Sequence, residues 1–169
     1  MIIMLQTRIL IIKNYWDKEQ ILLSAFSKLL SFILNGPNHA AILKDGMVHE
    51  MIGKGKVVTP YEEWLLKTNR LVYEYKPLVA VKLPKKDLPY GYWDLIPVGL
   101  NLLWYKITGK RLWNGEDMVI KEGYFCSEYI AVALGLDKAY LHTPVSLMKI
   151  DELKLVSTFK TQRGVGIIT

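Results

Sequence analysis

The sequence predicts an α+β fold in which an antiparallel sheet packs against helices. Asp45-Gly46 separates two short stretches of strand character, 39–44 and 47–52, and is a strong signal for a two-residue type I′ hairpin. Further along, the apolar side chains of residues 130–134 recur at helical spacing, and Gly135 follows them as a typical helix terminator. Strands and helices that alternate irregularly in this way favour the α+β class.

The other predicted elements share a hydrophobic periodicity that is bounded by capping or turn residues. A chain of 169 residues is expected to form a single domain, 1–169, with a sizeable core. In chain order we expect a strand over Thr7–Lys13, a helix from Lys18 to about Leu34, a short helix from Pro60 through Thr68, strands over Leu71–Tyr75 and Leu78–Leu83, a helix over Trp93–Ile107, and closing strands over Leu153–Phe159 and Val165–Ile168.

Cys126 is the only cysteine and begins the predicted helix that ends at Gly135. The unsatisfied backbone N–H groups and the positive dipole end of a helix N-terminus favour the thiolate, which is the form that attacks a carbonyl. A lone cysteine is more often an inert part of the core. A catalytic role for Cys126 therefore depends on a partner that can accept and return a proton.

The candidate partner is His39, which begins the first strand of the hairpin. A type I′ turn at Asp45-Gly46 pairs Ala41 with Glu50, so Glu50 becomes a diagonal neighbour of His39 on one face of the sheet. Glu50 would then orient the imidazole, as the third member of a catalytic triad does. A register error of one residue would put His49 there instead, and a solvated strand residue remains the alternative for Glu50.

These residues resemble those of the circularly permuted papain-like (NlpC-type) cysteine hydrolases. The likeness consists of a strand-borne His39, the Asp-Gly hairpin, a polar residue on the next strand and a later Cys126-Ser127-Glu128 helix start. It is nearest to the YiiX-like group and more distant from the lecithin-retinol acyltransferase-like proteins. Two more segments match, Tyr92-Trp93-Asp94 and Thr143–Leu147, so the resemblance spans roughly residues 36 to 160. The chain departs from the family in lacking the Gly-Asp opening of the first strand and in carrying an inserted Trp93.

The resemblance implies a permuted papain-like domain with Cys126 as nucleophile, His39 as base and Glu50 as the third group. The implied reaction is thiol-dependent cleavage of an amide bond by a peptidase or amidase, with peptidoglycan-type peptides as the family's substrate class. Acyl-ester hydrolysis or acyl transfer on a lipid is the alternative for the same triad. A binding or structural protein, of phage or viral origin, that keeps the fold without turnover is the alternative outside enzymology.

Composition and charge limit which partners and cofactors we expect for the chain. Its net charge of +6 comes from scattered lysines and carries no recognised nucleic-acid-binding pattern, so we expect no specific nucleic acid and at most a weak association with membrane surfaces. Three histidines and one cysteine at these spacings do not form a zinc signature, and no cofactor is expected. No apolar run is long enough for a transmembrane helix, and the first residues lack the features of a signal peptide. These observations favour a cytoplasmic location, and they leave the oligomeric state open.

Overall fold

The computed structural model describes residues 6–14, 36–67, 69–84, 100–101, 103–110, 112, 123–164 and 166–168. They form an α+β fold, as predicted, built on an antiparallel sheet. Its strands are β1 (Arg8–Asn14), β2 (His39–Lys44), β3 (Met47–Ile52), β4 (Gly55–Pro60), β5 (Arg70–Pro77), β6 (Leu153–Gln162) and β7 (Gly166–Ile168). The helices with full bounds are α1 (Tyr61–Lys67), α2 (Cys126–Leu134), a 3-10 turn (Ala139–Leu141) and α3 (Pro144–Leu147).

The sheet has the strand order β4-β3-β2-β1-β5-β6-β7, and neighbouring strands are antiparallel. The hairpin between β2 and β3 has the predicted register, in which Lys44 pairs with Met47 and Ala41 with Glu50. Asp45 and Gly46 both have positive φ, 51° and 76°, as a type I′ turn requires. The register therefore follows from the turn.

Each face of the sheet is covered by a helix. The helix α2 packs with Ile130 and Ala133 against one face, which includes Ile42 of β2. The helix α1 packs with Trp64 and Leu65 against the other face. Side chains alternate between the faces along each strand. The central strand β1 is therefore buried on both faces, and four of its side chains have no solvent-exposed surface: Ile9, Leu10, Ile11 and Ile12.

The helix α2 begins at Cys126 and ends before Gly135, as its pattern predicts. Gly135 has φ +72° and donates its backbone N–H to the carbonyl of Val132, which is the left-handed termination that glycine favours. The helical residues 103–108 end in a similar way at Gly109, which has φ +70°. The predicted strands 7–13, 71–75, 153–159 and 165–168 correspond to β1, β5, β6 and β7.

The predicted strand Leu78–Leu83 is wrong. Residues 78–84 are bends and irregular backbone, and their hydrogen bonds go to loops and helix ends. The backbone N–H of Leu78 donates to the carbonyl of Glu152, and that of Lys82 donates to the carbonyl of Ala133 at the end of α2. The segment packs Val81 and Leu83 against the α2 core. Its apolar side chains therefore cover a helix, and its backbone does not join the sheet.

One strand was missed and one helix start was off by a residue. The strand β4 was not predicted, since its sequence Gly-Lys-Val-Val-Thr-Pro lacks a clear apolar alternation. It directly precedes α1, which starts at Tyr61, one residue after the predicted helix start at Pro60. The predicted helix from Lys18 to about Leu34 and the first part of the one over Trp93–Ile107 lie outside the described residues.

Replacing Gly46 with valine tests whether the hairpin turn depends on the left-handed backbone at this position. A β-branched side chain is strained at φ 76°, and we expect the free energy of unfolding to fall by about 1–3 kcal/mol. Urea unfolding measures this change. Gly46→Asn is the matched control, because asparagine tolerates the left-handed region and should cost less. Equal losses for the two variants would contradict the assignment of the strain to φ.

Candidate active site

The hairpin positions His39 and Glu50 side by side. His39 is the first residue of β2, and Glu50 lies on β3 opposite Ala41. Nε2 of His39 and Oε1 of Glu50 are 2.9 Å apart. Glu50 is only 6% exposed, so it is not the solvated strand residue that the sequence left as an alternative. His49 lies on the opposite face of β3 and is not in this position.

Burial and charge pairing perturb both groups. Burial alone would lower the pKa of His39, but interactions with the side chains of Cys126 and Glu50 outweigh it and raise the pKa to about 9. Burial would raise the pKa of Glu50, but the bond to His39 and the charges of His39 and Arg70 lower it to about 2. An imidazolium beside a carboxylate is therefore the form of the pair at neutral pH.

Cys126 is the first residue of α2 and lies next to His39. It is 5% exposed. Because Glu50 holds Nε2 of the imidazole, Nδ1 is the ring nitrogen left for the thiol. Glu50 lies on the α1 face of the sheet, whereas α2 packs on the opposite face. The Glu50 side of the site and the Cys126 side therefore meet at His39, the first residue of β2, and at Cys126, the first residue of α2.

The residue after Cys126 anchors the start of the helix. Ser127 is fully buried, and its hydroxyl donates to the backbone carbonyl of His142 at 2.7 Å. The next residue, Thr143, caps α3 in a reciprocal bond pattern with Ser146, and Pro144 occupies the first turn. The Ser127 contact therefore ties the first turn of α2 to the segment that leads into α3.

Two residues of this region were not predicted from the sequence, Arg70 and Trp64. Nη1 of Arg70 is 3.6 Å from Oε1 of Glu50, and its guanidinium carbon lies 4.5 Å from the centre of the Trp64 ring. Burial lowers the pKa of Arg70, and the charge of Glu50 opposes that change. No local motif marks Arg70, which simply begins a strand. The sequence signal that could have identified Arg70 is a basic residue within a strand whose apolar alternation predicts burial.

The remaining polar candidates lie apart from this cluster. His49 faces the other side of the sheet, where burial and the charges of Lys56 and Lys44 lower its pKa. His142 is half-buried and contributes its backbone carbonyl to Ser127. Asp94 and the Tyr92-Trp93-Asp94 segment lie outside the described residues. Within the described ranges, no group of three or more His, Cys, Asp or Glu side chains is placed to hold a metal ion.

Comparison with known proteins adds no assignment. No protein-family model matches the chain, and no curated protein matches it in sequence. Among the helices of the described residues, none is long and apolar enough to cross a membrane.

Replacing Glu50 with glutamine should lower the pKa of His39 from about 9 by at least about one unit, because the amide keeps a hydrogen-bond acceptor but removes the charge. NMR titration of histidine ring signals measures this shift. Glu74→Gln is the matched control, since Glu74 is half-buried on the same sheet and pairs with Arg8 at 3.0 Å. A His39 midpoint that is unchanged in Glu50→Gln would show that Glu50 does not stabilise the imidazolium.

The same pair makes stability depend on pH. The pKa of His39 is raised from 6.5, so its contribution is complete below about pH 6.5 and is lost as the pH rises through about 9. The pKa of Glu50 is lowered from 4.5, so its contribution is complete above about pH 4.5 and is lost as the pH falls towards 2. We expect Glu50→Gln to flatten the decline of the unfolding free energy between pH 6.5 and 9, measured by urea unfolding at several pH values. A decline as steep as that of the parent would contradict the assignment.

Proposed function

We propose that this chain is a thiol-dependent hydrolase with a permuted papain-like fold that cleaves an amide bond through Cys126, His39 and Glu50. The observation that carries the proposal is His39, which lies between a thiol at a helix N-terminus and a buried carboxylate that bonds its ring at 2.9 Å. A thiol nucleophile requires this set of groups: a sulfur, a base beside it and a group that orients the base.

The reaction begins with the proton on His39 and the negative charge on the sulfur of Cys126. The thiolate attacks the carbonyl carbon, and a carbon–sulfur bond forms while the carbonyl oxygen becomes an oxyanion. The backbone N–H of Cys126, at the start of α2, is suited to stabilise that charge. As the tetrahedral intermediate collapses, the bond to the leaving group breaks and the imidazolium gives its proton to the leaving nitrogen.

Hydrolysis of the thioester completes the cycle. The neutral imidazole of His39 accepts a proton from water while the oxygen attacks the acyl carbon. The carbon–sulfur bond then breaks, which releases the acid and restores the thiolate and the imidazolium. The carboxylate of Glu50 stays ionised throughout and holds the ring through Nε2, so that Nδ1 stays directed towards the sulfur.

The order of the residues along the chain supports the permuted family over other thiol enzymes. His39 precedes Cys126, the histidine lies on a strand of an antiparallel sheet, and the cysteine begins a helix that packs on that sheet. The substrate class that this likeness favours is a peptide amide of the cell-wall type. The alternative to test is hydrolysis or transfer of a lipid acyl ester by the same three residues.

The pH dependence of Cys126 alkylation tests the proposed pair. We expect iodoacetamide to modify the parent protein rapidly well below pH 8, where a free thiol reacts slowly, and we expect His39→Ala to slow that reaction at least about tenfold at pH 6. His49→Ala is the matched control, because His49 is the other histidine of the hairpin and points to the opposite face of the sheet from Glu50, and this variant should react like the parent. Mass spectrometry of the labelled protein measures the rates. Equal rates in the parent and in His39→Ala would show that no thiolate–imidazolium pair exists.

The substrate class is tested by incubating the parent protein with purified cell-wall peptides and, separately, with phospholipid vesicles. The amide hydrolase proposal predicts new free amino groups from the peptides, at a rate reduced by about 10³-fold or more in Cys126→Ala. Release of fatty acid from the vesicles with intact peptides would favour lipid ester hydrolysis instead. Rapid alkylation without turnover of either probe would favour a binding protein.

A further inference from the structure

The buried guanidinium of Arg70 has no place in the reaction described above. The side chains of Arg70 and Glu50 are 12% and 7% exposed, and their closest atoms, Nη1 and Oε1, are 3.6 Å apart. Oε1 is also the oxygen that bonds Nε2 of His39. One carboxylate oxygen is therefore shared between two cationic groups on the same face of the sheet.

The surroundings of Arg70 hold it in this position. The guanidinium carbon of Arg70 lies 4.5 Å from the centre of the Trp64 ring, and Trp64 is a fully buried residue of α1. Its backbone N–H donates to the hydroxyl of Thr161 on the neighbouring strand β6. Within the part of the chain that the structure describes, neither Nε nor Nη1 has a hydrogen-bond partner. Attraction to Glu50 and stacking on Trp64 therefore fix the guanidinium.

The charge of Arg70 keeps the site electrically balanced both before and after Cys126 is acylated. With the sulfur and the imidazole ionised, the thiolate, the imidazolium, Glu50 and Arg70 carry equal numbers of positive and negative charges. Once Cys126 is acylated and His39 has given away its proton, only Glu50 and Arg70 remain charged, and they compensate each other. Without Arg70, the second state would leave an unpaired carboxylate in the interior, which is costly.

We propose that Arg70 is a positioning residue that keeps the Glu50 carboxylate ionised and in place, so that His39 can release its proton without leaving an uncompensated charge. The inference rests on the proposed function, since it assigns Arg70 a part in the same reaction. Arg70 touches neither the sulfur nor the reacting carbonyl in this scheme, and it acts on His39 through Glu50.

The test is a carboxyl-carbon NMR titration of the full chain labelled with ¹³C-glutamate. The Glu50 signal is the one that disappears in Glu50→Gln. In the parent it should stay ionised until the pH approaches 2. In the neutral variants Arg70→Met and Arg70→Gln we expect the Glu50 midpoint to rise by at least about one unit, and in Arg70→Lys by a fraction of that amount.

Arg8→Met is the matched control, because Arg8 is a second arginine paired with a half-buried glutamate, Glu74, at 3.0 Å. It should leave the midpoint of Glu50 in place. A Glu50 midpoint in a folded neutral variant that equals the parent value would overturn the proposal. If neither neutral variant folds, the parent titration decides, and a Glu50 midpoint there at or above its ordinary value of 4.5 would overturn the proposal.

Alkylation of Cys126 by iodoacetamide, measured on the same samples, separates this inference from the proposed function. Slow labelling in the parent as well as in His39→Ala would end the hydrolase proposal, whatever the Glu50 titration shows. Rapid labelling in the parent together with an unshifted Glu50 midpoint in the Arg70 variants would leave the hydrolase proposal standing and remove Arg70 from it.

Discussion

An ionised carboxylate in a protein interior has to be compensated, and this requirement organises the region around Glu50. The carboxylate bonds Nε2 of His39 at 2.9 Å and lies 3.6 Å from Arg70. Two cations on one carboxylate explain why the pKa of Glu50 falls to about 2 although burial acts in the opposite direction. The β2–β3 hairpin contributes His39 and Glu50, β5 contributes Arg70, and α1 contributes the Trp64 ring that Arg70 contacts.

The proposed site draws on both faces of the sheet. Glu50 and Arg70 lie on the face that α1 covers, and Cys126 belongs to the helix that covers the other face. They can meet because His39 is the first residue of β2 and Cys126 is the first residue of α2. The central strand β1 is buried on both sides, which gives the two halves a rigid common support. A site assembled in this way depends on both helix packings, although most of those contacts are purely apolar.

Most of the fold was predictable because it is coded by short-range patterns. The turn at Asp45-Gly46 fixed the pairing of Ala41 with Glu50, and Gly135 marked the end of α2. Prediction failed where apolar residues served a different purpose. Leu78–Leu83 has the composition of a strand, but its side chains cover α2 and its backbone bonds to the ends of other elements. Composition cannot distinguish these uses, because both bury apolar surface.

The sequence by itself determined which residues could supply the chemistry. A single cysteine at a helix start, a histidine on a strand and a glutamate at the opposite register position follow from local spacing and turn geometry. The approach of Cys126 to His39 and the position of Arg70 beside Glu50 were decided only by the tertiary structure. Cys126 is separated from His39 by about half of the chain, and Arg70 reaches Glu50 across two intervening strands. Such contacts depend on sheet order and helix packing, for which no local pattern carries information.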